Sequence, residues 1–386
     1  MSDTKKWVAG WGAACTTICM NHTEYFKDQT FRYRIYPTVD GTALRLHFSN
    51  RFNTEPTTIT RATVAQYTEG SSVDPATITD ITFGGAESLT MEAGGEHYVS
   101  DDIPFTFEAG KEFSVSLYFA DLTQNMTGHS NNGHYIKKYY TRGDHTHSAD
   151  IPLETWGENG PYCFLHTIDF ETDAAKDVQA IVAFGDSITA QPWPDCLARR
   201  LATLGITDRT IVRKGIGGNR ILRDYIHRFK KHWGPAGIKR FEREVVQAGV
   251  DRVFLLHGIN DLIHPGVTNK FCPMSELPDA TEMIENGYKK YIEMAHKNGI
   301  KIYLATILPC PRCKNDDGVR EATRLAVNEW IRTQTLSDGF IDFEAAVWDP
   351  ADHSQIFAEY DSGDHLHPSL AGAQAMADSI PEEFLK

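Results

Sequence analysis

The strongest constraint on the fold is a change in the spacing of apolar residues near residue 173. Before it, apolar and polar residues alternate in runs such as 31–35, 44–48 and 113–117. Clusters of Gly, Asn, Asp and Ser separate these runs, which is typical of antiparallel strands with one buried face. The pattern therefore predicts an N-terminal, jelly-roll-like β-sandwich over residues 1–174.

After residue 173, short and nearly continuous apolar runs alternate with longer stretches of helical spacing. The runs 180–184, 253–256 and 302–308 are typical of strands that are buried on both faces of a parallel sheet. Helical spacing follows Asp195 at Leu197, Leu201 and Leu204, and follows Asp279 at Ile284, Tyr288, Tyr291 and Ala295. An aspartate in front of such a run favours a helix start. The alternation predicts a three-layer α/β domain over residues 175–386.

Ligands of an open parallel sheet bind beyond the carboxyl ends of its strands. Ser187 follows the first of these strands, Gly218 lies in a glycine-rich loop after the second, and Asn260 follows the third. Near the C-terminus, Asp364 precedes His367 by three residues. This spacing lets a carboxylate hold one ring nitrogen of the histidine while the other faces outward. The residues of a hydrolase site are therefore all present.

This set resembles the four signature blocks of the SGNH (GDSL-type) hydrolases, which occur here in the family order. The resemblance implies a flavodoxin-like α/β/α domain and a Ser187, Asp364, His367 triad without cofactor. It also implies an oxyanion hole formed by the backbone N–H groups of Ser187 and Gly218 and the side-chain amide of Asn260. Ile188 and Gly217 depart from common family residues, but neither position supplies a catalytic group.

The N-terminal residues resemble a subgroup of this family in which a β-sandwich precedes the hydrolase domain. The start Trp7-Val-Ala-Gly-Trp11-Gly and the stretch 46–50 carry that resemblance. The subgroup includes esterases, lipases and acetylxylan esterases. We therefore expect a carbohydrate O-acetylesterase that acts on oligosaccharides such as acetylated xylo-oligosaccharides. The alternatives are a broad short-chain carboxylesterase or lipase and, from another class, a carbohydrate-binding protein with a relic hydrolase domain.

Three further side chains are candidates for substrate contact. Trp193 and Arg220 lie close in sequence to the site loops, and packing or surface ion pairing is the alternative for both. Tyr139 belongs to a stretch rich in aromatic residues and histidines, including His145 and His147, which fits a carbohydrate-facing loop. A hairpin with aromatic rings packed on the sandwich is favoured over that interpretation, and a metal site at the two histidines is less favoured still.

Several neighbours compete with the chosen site residues. Gly215 and Gly217 compete with Gly218 for the oxyanion role. His365 lies beside His367, but Pro368 directly follows His367, as the family block requires. Asp361 is close to Asp364, although only Asp364 has the three-residue spacing to His367. We expect Asp186 and Asp261 to hold the site loops through hydrogen bonds to backbone amides.

Charge and composition limit the classes of binding partner that we expect for this protein. A formal net charge of −14 disfavours binding to nucleic acid or to anionic membranes. A polar N-terminus without a signal-like apolar run leads us to expect a cytoplasmic protein, and a homo-oligomer is compatible with the sequence. Seven cysteines without regular spacing predict reduced thiols. Cys310 and Cys313 are spaced like a metal or redox pair but lack the partners of a zinc site, so we predict no metal.

Overall fold

The computed structural model describes residues 5–18, 25–129, 134–152, 160–226, 232–267, 272–314 and 318–386, without the side chains of residues 312 and 314. It divides into two units, 1–180 with 201–212 and 181–200 with 213–386. These units coincide with the predicted domains except at 175–180 and 201–212, which group with the first unit.

The first unit consists of short strands. They are β1 Lys5–Gly12, β2 Thr16–Thr17, β3 Tyr25–Phe26, β4 Gln29–Ile35, β5 Gly41–Phe48, β6 Thr57–Ile59, β7 Arg61–Gln66, β8 Thr79–Asp80, β9 Leu89–Met91, β10 Tyr98–Val99, β11 Ile103–Phe107, β12 Phe113–Phe119, β13 Thr123–Gln124, β14 Thr127–His129, β15 Lys138–Arg142, β16 Tyr162–Cys163 and β17 Leu165–Asp173. All three runs with period-two spacing lie within strands: β4, β5 and β12.

Two five-stranded antiparallel sheets form the body of this unit. One has the order β1-β17-β5-β10 with β11 also on β5, and the other has the order β15-β4-β12-β7-β8. Phe113 of the second sheet packs on Phe107 and Phe170 of the first, with ring centroids 5.5 and 6.1 Å away. Aromatic side chains of the two sheets thus meet in the apolar interior of a sandwich.

The remaining elements follow in strand and helix alternation. The strands are β18 Gln179–Gly185, β19 Arg209–Gly215, β20 Val250–Leu256, β21 Lys301–Ala305, β22 Gly339–Ile341, β23 Trp348–Asp349 and β24 Asp352–Ile356. The helices are α1 Ser187–Ala190, α2 Trp193–Thr203, α3 Gly237–Val245, α4 Ile259–Ile263, α5 Ala280–Met283, α6 Lys289–Lys297, α7 Val319–Thr333, α8 Phe343–Val347 and α9 Leu370–Ser379, with a π-helical turn at Ile284–Tyr288. Short 3-10 turns lie at Pro75–Thr77, Ala174–Lys176, Met274–Glu276, Pro311–Lys314 and Glu382–Phe384.

The central sheet has the order β19-β18-β20-β21-β22, and the pairs β20–β21 and β21–β22 are parallel. This 2-1-3-4-5 order is the flavodoxin-like one, so the predicted α/β/α architecture is confirmed. Every residue of β19 and nearly every residue of β18 is buried, as helices on both faces require. Successive strands are added on one side of β18 up to β19 and on the other side from β20 onward. A reversal of strand order of this kind predicts a binding crevice at the carboxyl ends of β18 and β20.

Of the two aspartates that the sequence places in front of a helix, Asp279 is a helix cap and Asp195 is not. Asp279 caps α5 by accepting a hydrogen bond from the backbone N–H of Glu282 at 2.8 Å, as predicted. Helix α2 instead begins at Trp193, so Asp195 lies in its first turn rather than at the cap. Strand β21 ends at Ala305, before the end of the apolar run 302–308.

Among the described residues, no helix is long and apolar enough to cross a membrane.

Candidate active site

Ser187 lies directly beyond the carboxyl end of β18, as the first residue of α1. Asp186 caps this helix, because its Oδ1 accepts a hydrogen bond from the N–H of Ile188 at 3.0 Å. The strand must end in glycine here, since a Cβ on Gly185 would lie 1.9 Å from the carbonyl oxygen of Leu256. The first N–H groups of a helix have no acceptor within the helix, which leaves the N–H of Ser187 available to a ligand.

A short loop over residues 361–368 presents His367 to Ser187. His367 Nε2 lies 2.8 Å from Ser187 Oγ, and His367 Nδ1 lies 2.6 Å from Asp364 Oδ2. The other oxygen of Asp364 accepts the backbone N–H groups of Leu366 and His367, at 3.0 and 2.8 Å. The loop is closed by a hydrogen bond from the N–H of Ser362 to the carbonyl oxygen of His367. The structure thus brings the three predicted triad residues into one line of hydrogen bonds.

The charge of Asp364 fixes the roles of the two ring nitrogens. Partial burial raises the pKa of Asp364, but the hydrogen bonds and charge of His367 outweigh it, so that the pKa falls to about 2. An ionised carboxylate only accepts hydrogen bonds, so Nδ1 of His367 must carry a proton. In the neutral ring Nε2 is then the free acceptor, and it faces the hydroxyl of Ser187.

Gly218 occupies a tight turn beyond β19. The turn is closed by the N–H of Asn219, which donates to the carbonyl oxygen of Ile216 at 3.2 Å. Gly218 has φ +74°, the left-handed conformation that the third position of a type II turn requires. Gly215 ends β19 and Gly217 is the second residue of the turn, so the three glycines have different backbone roles.

Asn260 meets this turn from the end of β20. It lies in α4, and its side-chain Nδ2 donates to the carbonyl oxygen of Asn219 at 2.9 Å. One of the two Nδ2 hydrogens is used in this bond, which leaves the second available. Asn260 is 2% exposed and Ser187 is half-buried. The structure therefore links the predicted donor Asn260 to the residue that follows the predicted donor Gly218.

Two buried residues that the sequence did not single out support the turn. His257 is 1% exposed, and its Nε2 lies 3.2 Å from the carbonyl oxygen of Asn219. Burial, and then the charge of Arg240, hold the pKa of His257 well below its usual value, so the ring is neutral. Arg240 of α3 donates to Asn219 Oδ1 and to the carbonyl oxygens of Gly185 and Lys214. One guanidinium thus ties the ends of β18 and β19 to the turn.

Asp186 and Asp261 are buried beneath the loops. The two oxygens of Asp261 accept the backbone N–H groups of Ile221 and Leu222, at 2.7 and 3.1 Å. These contacts give both aspartates the loop-holding geometry expected from the sequence. Burial raises the pKa of Asp186 to about 7, with the charge of Asp261 acting in the same direction. Burial also raises the pKa of Asp261, to about 6.

The three candidate substrate contacts are buried instead. Trp193 is 1% exposed and packs on Phe343 of α8, at 5.2 Å between ring centroids. Arg220 is 1% exposed, pairs with Glu276 at 2.6 Å and lies over the ring of Tyr225. Tyr139 is 5% exposed and lies within β15 of the first unit. This burial leaves little surface for a substrate and favours packing as the role of all three side chains.

Asp361 and His365, which lie close in sequence to the triad residues Asp364 and His367, form a separate pair. His365 Nδ1 lies 2.6 Å from Asp361 Oδ2, and the His365 ring is largely exposed. The histidine that accepts the hydrogen bond of the Ser187 hydroxyl is therefore His367 and not His365. Cys310 and Cys313 are both buried, and both are thiols rather than halves of a disulfide. Within the described ranges, no three His, Cys, Asp or Glu side chains are grouped to hold a metal ion.

The site residues that the sequence did not indicate differ in how easily they could have been predicted. Asn219 and His257 adjoin motif residues, so their position next to Gly218 and just before Gly258-Ile259-Asn260 was an available signal. Arg240 lies on a helix, 22 residues after Gly218 and 20 residues before Asn260. Its long side chain reaches the site only through the packing of α3, and no local pattern marks it.

The C-terminal part of the chain matches a known protein family. The model of the GDSL-like lipase/acylhydrolase family matches residues 183–375, which is half of the chain. These residues include the whole set from Ser187 to His367. The chain therefore belongs to the GDSL-like lipase/acylhydrolase, or SGNH hydrolase, family. A search of curated proteins found no match.

Solved structures similar to this chain include the following three. A putative acylhydrolase from Bacteroides fragilis is 19% identical, covering 54% of this chain and 86% of that one, with a TM-score of 0.38. A putative platelet activating factor from Streptococcus pneumonia is 24% identical (54% and 85%, TM-score 0.37). An acetyl xylan esterase from Geobacillus stearothermophilus is 20% identical (53% and 94%, TM-score 0.35).

Proposed function

We propose that this protein is a serine esterase with Ser187 as nucleophile, His367 as general base and Asp364 as the group that orients the imidazole. The observation that carries the proposal is the hydrogen-bonded line from Asp364 through His367 to Ser187, with distances of 2.6 and 2.8 Å. A serine hydroxyl is a weak nucleophile by itself, and an adjacent base held by a third group is what activates it.

The reaction proceeds in two acyl-transfer steps. His367 Nε2 takes the proton of Ser187 Oγ as this oxygen attacks the ester carbonyl, and the alcohol then leaves with that proton. Water attacks the acyl-enzyme in the same way, which releases the acid and restores Ser187. Asp364 stays ionised throughout and stabilises the positively charged imidazole ring of each intermediate.

The negative charge of the tetrahedral intermediate is held by three N–H donors: the backbone amides of Ser187 and Gly218 and the side chain of Asn260. The helix start at Ser187, the left-handed turn at Gly218 and the spare hydrogen of the Asn260 amide support this assignment. Fixed donors of this kind need no reorganisation when charge develops, which is why they accelerate acyl transfer.

The substrate we propose is an O-acetylated oligosaccharide, such as an acetylated xylo-oligosaccharide. An acetyl group is supported by the resemblance of the N-terminal residues to a subgroup of the family that includes acetylxylan esterases. A polar alcohol is supported by His365, which exposes 70% of its side chain two residues before His367. Hydroxyl groups of a sugar can form hydrogen bonds with such an exposed ring.

Two measurements test the proposal. Ser187→Ala should abolish release of acetate and labelling by a fluorophosphonate probe while the protein stays folded. Ser379→Ala, which removes a serine hydroxyl at the end of α9, should change neither. Normal turnover by Ser187→Ala would refute the nucleophile, and a wild-type protein that binds oligosaccharides but is never labelled would be a relic. Faster hydrolysis of longer-chain esters than of acetyl esters would favour a broad carboxylesterase or lipase.

A further inference from the structure

The carbonyl group of Gly218 is held by a tyrosine. The hydroxyl of Tyr225 lies 2.6 Å from the Gly218 carbonyl oxygen and 2.5 Å from Nδ1 of His264. A carbonyl oxygen can only accept, so the single hydroxyl proton of Tyr225 points to Gly218. The hydroxyl oxygen then accepts a hydrogen bond from the ring, which places a proton on Nδ1 of His264.

The ring of Trp233 closes this arrangement from another side. An added Cβ on Gly218 would lie 2.6 Å from three atoms of that ring, so the indole packs directly on the turn. Trp233 also stacks on His264, at 4.8 Å between ring centroids and an interplanar angle of 18°. Tyr225 meets Trp233 edge-on at 4.6 Å. We call Tyr225, Trp233 and His264 the aromatic clamp.

The clamp acts at a point where the backbone would otherwise be free to rotate. Gly218 joins the peptide plane that carries its N–H to the plane that carries its carbonyl, and glycine restrains the angle between them less than any other residue. On the far side of the turn, the carbonyl of Asn219 is held by Asn260 and His257. Tyr225 fixes the carbonyl of Gly218 itself.

We propose that Tyr225 is a positioning residue of the esterase site, which aims the Gly218 N–H at the developing oxyanion through the Gly218 carbonyl, with His264 and Trp233 holding Tyr225 in place. The inference rests on the proposed function, because it assigns a task to the oxyanion donor of that mechanism. Misalignment of a donor should cost less than its complete loss, which typically lowers the rate by about 10²–10³.

Tyr225→Phe is the direct test, because it keeps the stacked ring and removes only the hydroxyl. We expect kcat for an aryl acetate to fall about tenfold, with KM nearly unchanged, since a donor that is used in the transition state affects kcat. Inhibition by an alkyl boronic acid, which forms a tetrahedral adduct with the serine, should weaken by a similar factor. Tyr118→Phe is the matched control, because its hydroxyl donates to Asp28 in the first unit, and it should change neither value.

The outcomes separate this inference from the proposed function. A wild-type protein without esterase activity would contradict the proposed function itself. An active wild-type protein together with an unchanged kcat in Tyr225→Phe would overturn the positioning role alone, as would a lower kcat with unchanged boronate inhibition. If Tyr225→Phe does not fold, His264→Phe is the second test, because it keeps a ring against Trp233 but removes Nδ1. We expect a loss in kcat smaller than the one expected for Tyr225→Phe, with boronate inhibition weakened by a similar factor. Unchanged kinetics in that variant would overturn the role.

Discussion

The two sides of the candidate site are constructed differently. The relay side, the loop 361–368 with Asp364 and His367, is local and partly exposed: Asp364 reaches His367 across three residues, and its side chain is 41% exposed. The oxyanion side, the turn 216–219 with Asn260 and its supports, is buried and assembled from distant segments. Asn219 and Arg240 on that side are both 0% exposed.

Because of this difference, we expect substitutions on the two sides to have different effects on catalysis and on stability. A polar group on the exposed relay side can return to water when its partner is removed, so a substitution there should affect the reaction and leave the fold intact. On the buried oxyanion side, a donor or acceptor that loses its partner has no water to replace it, and the protein loses stability as well. Substitutions on the two sides should therefore differ in whether they affect kcat, stability or both.

Asp364→Asn should lower kcat by about 10⁴, because the amide no longer fixes the proton on Nδ1 of His367 or stabilises the charged ring. The melting temperature should fall less than in variants of buried residues, because the side chain of Asp364 is partly exposed. Asp361→Asn is the matched control in the same loop, since Asp361 pairs with the other histidine, His365. It should keep most of the activity. Equal losses of kcat in the two variants would contradict the assignment of the relay to Asp364.

Asn260→Ala should lower kcat by about 10²–10³ and also destabilise the protein, because the carbonyl of Asn219 loses a donor. Asn298→Ala removes a similar hydrogen bond, from Nδ2 to the carbonyl oxygen of Met294, at an exposed helix end. That control should leave kcat unaltered. Steady-state kinetics and thermal melting of both variants measure the contrast, and an Asn260→Ala protein with normal kcat would remove Asn260 from the oxyanion hole.

Asp261→Asn should reduce the free energy of unfolding by about 1–3 kcal/mol. Both Asp261 oxygens accept backbone N–H groups, and an amide would place its NH₂ against one of those donors. Urea denaturation of wild type and variant gives the difference. A variant as stable as the wild type would show that these two hydrogen bonds do not hold the loop.

The pH dependence of stability should have opposite signs at a buried aspartate, Asp186, and at the partly exposed Asp364. The raised pKa of Asp186, about 7, means that the folded protein binds more protons than the unfolded chain between about pH 4 and 7. The contribution of Asp186 to stability therefore falls as pH rises through that window. Asp186→Asn lacks this titration, so its stability relative to wild type should increase from pH 5 to 8, by on the order of 1 kcal/mol.

Asp364 behaves in the opposite way, since its pKa of about 2 lies below the ordinary value. Its stabilising contribution is present above about pH 4 and is lost as pH falls toward 2. Denaturation midpoints of the wild type, Asp186→Asn and Asp364→Asn across this range measure both effects. A constant difference between Asp186→Asn and wild type from pH 5 to 8 would contradict a raised pKa at Asp186.

Much of the fold could be predicted because it depends on burial patterns within short segments. The period-two runs lie in β4, β5 and β12, and the apolar runs lie in β18, β20 and β21. Boundaries were less predictable: β21 ends early because the N–H of Ile307 turns to the side chain of Asn328, which comes from α7. No residue near Ile307 in the sequence indicates that Asn328 is its hydrogen-bond partner.

The sequence by itself determined the two strand patterns, the residues of each of the four signature blocks and the pairing of Asp364 with His367, because each of these depends on residues only a few positions apart. Only the tertiary structure decided that Trp193, Arg220 and Tyr139 are interior side chains. It alone also placed Arg240 and the aromatic clamp around the turn at Gly218. The physical reason is that burial and hydrogen-bond partners of long side chains depend on how whole helices and strands pack, which local spacing does not encode.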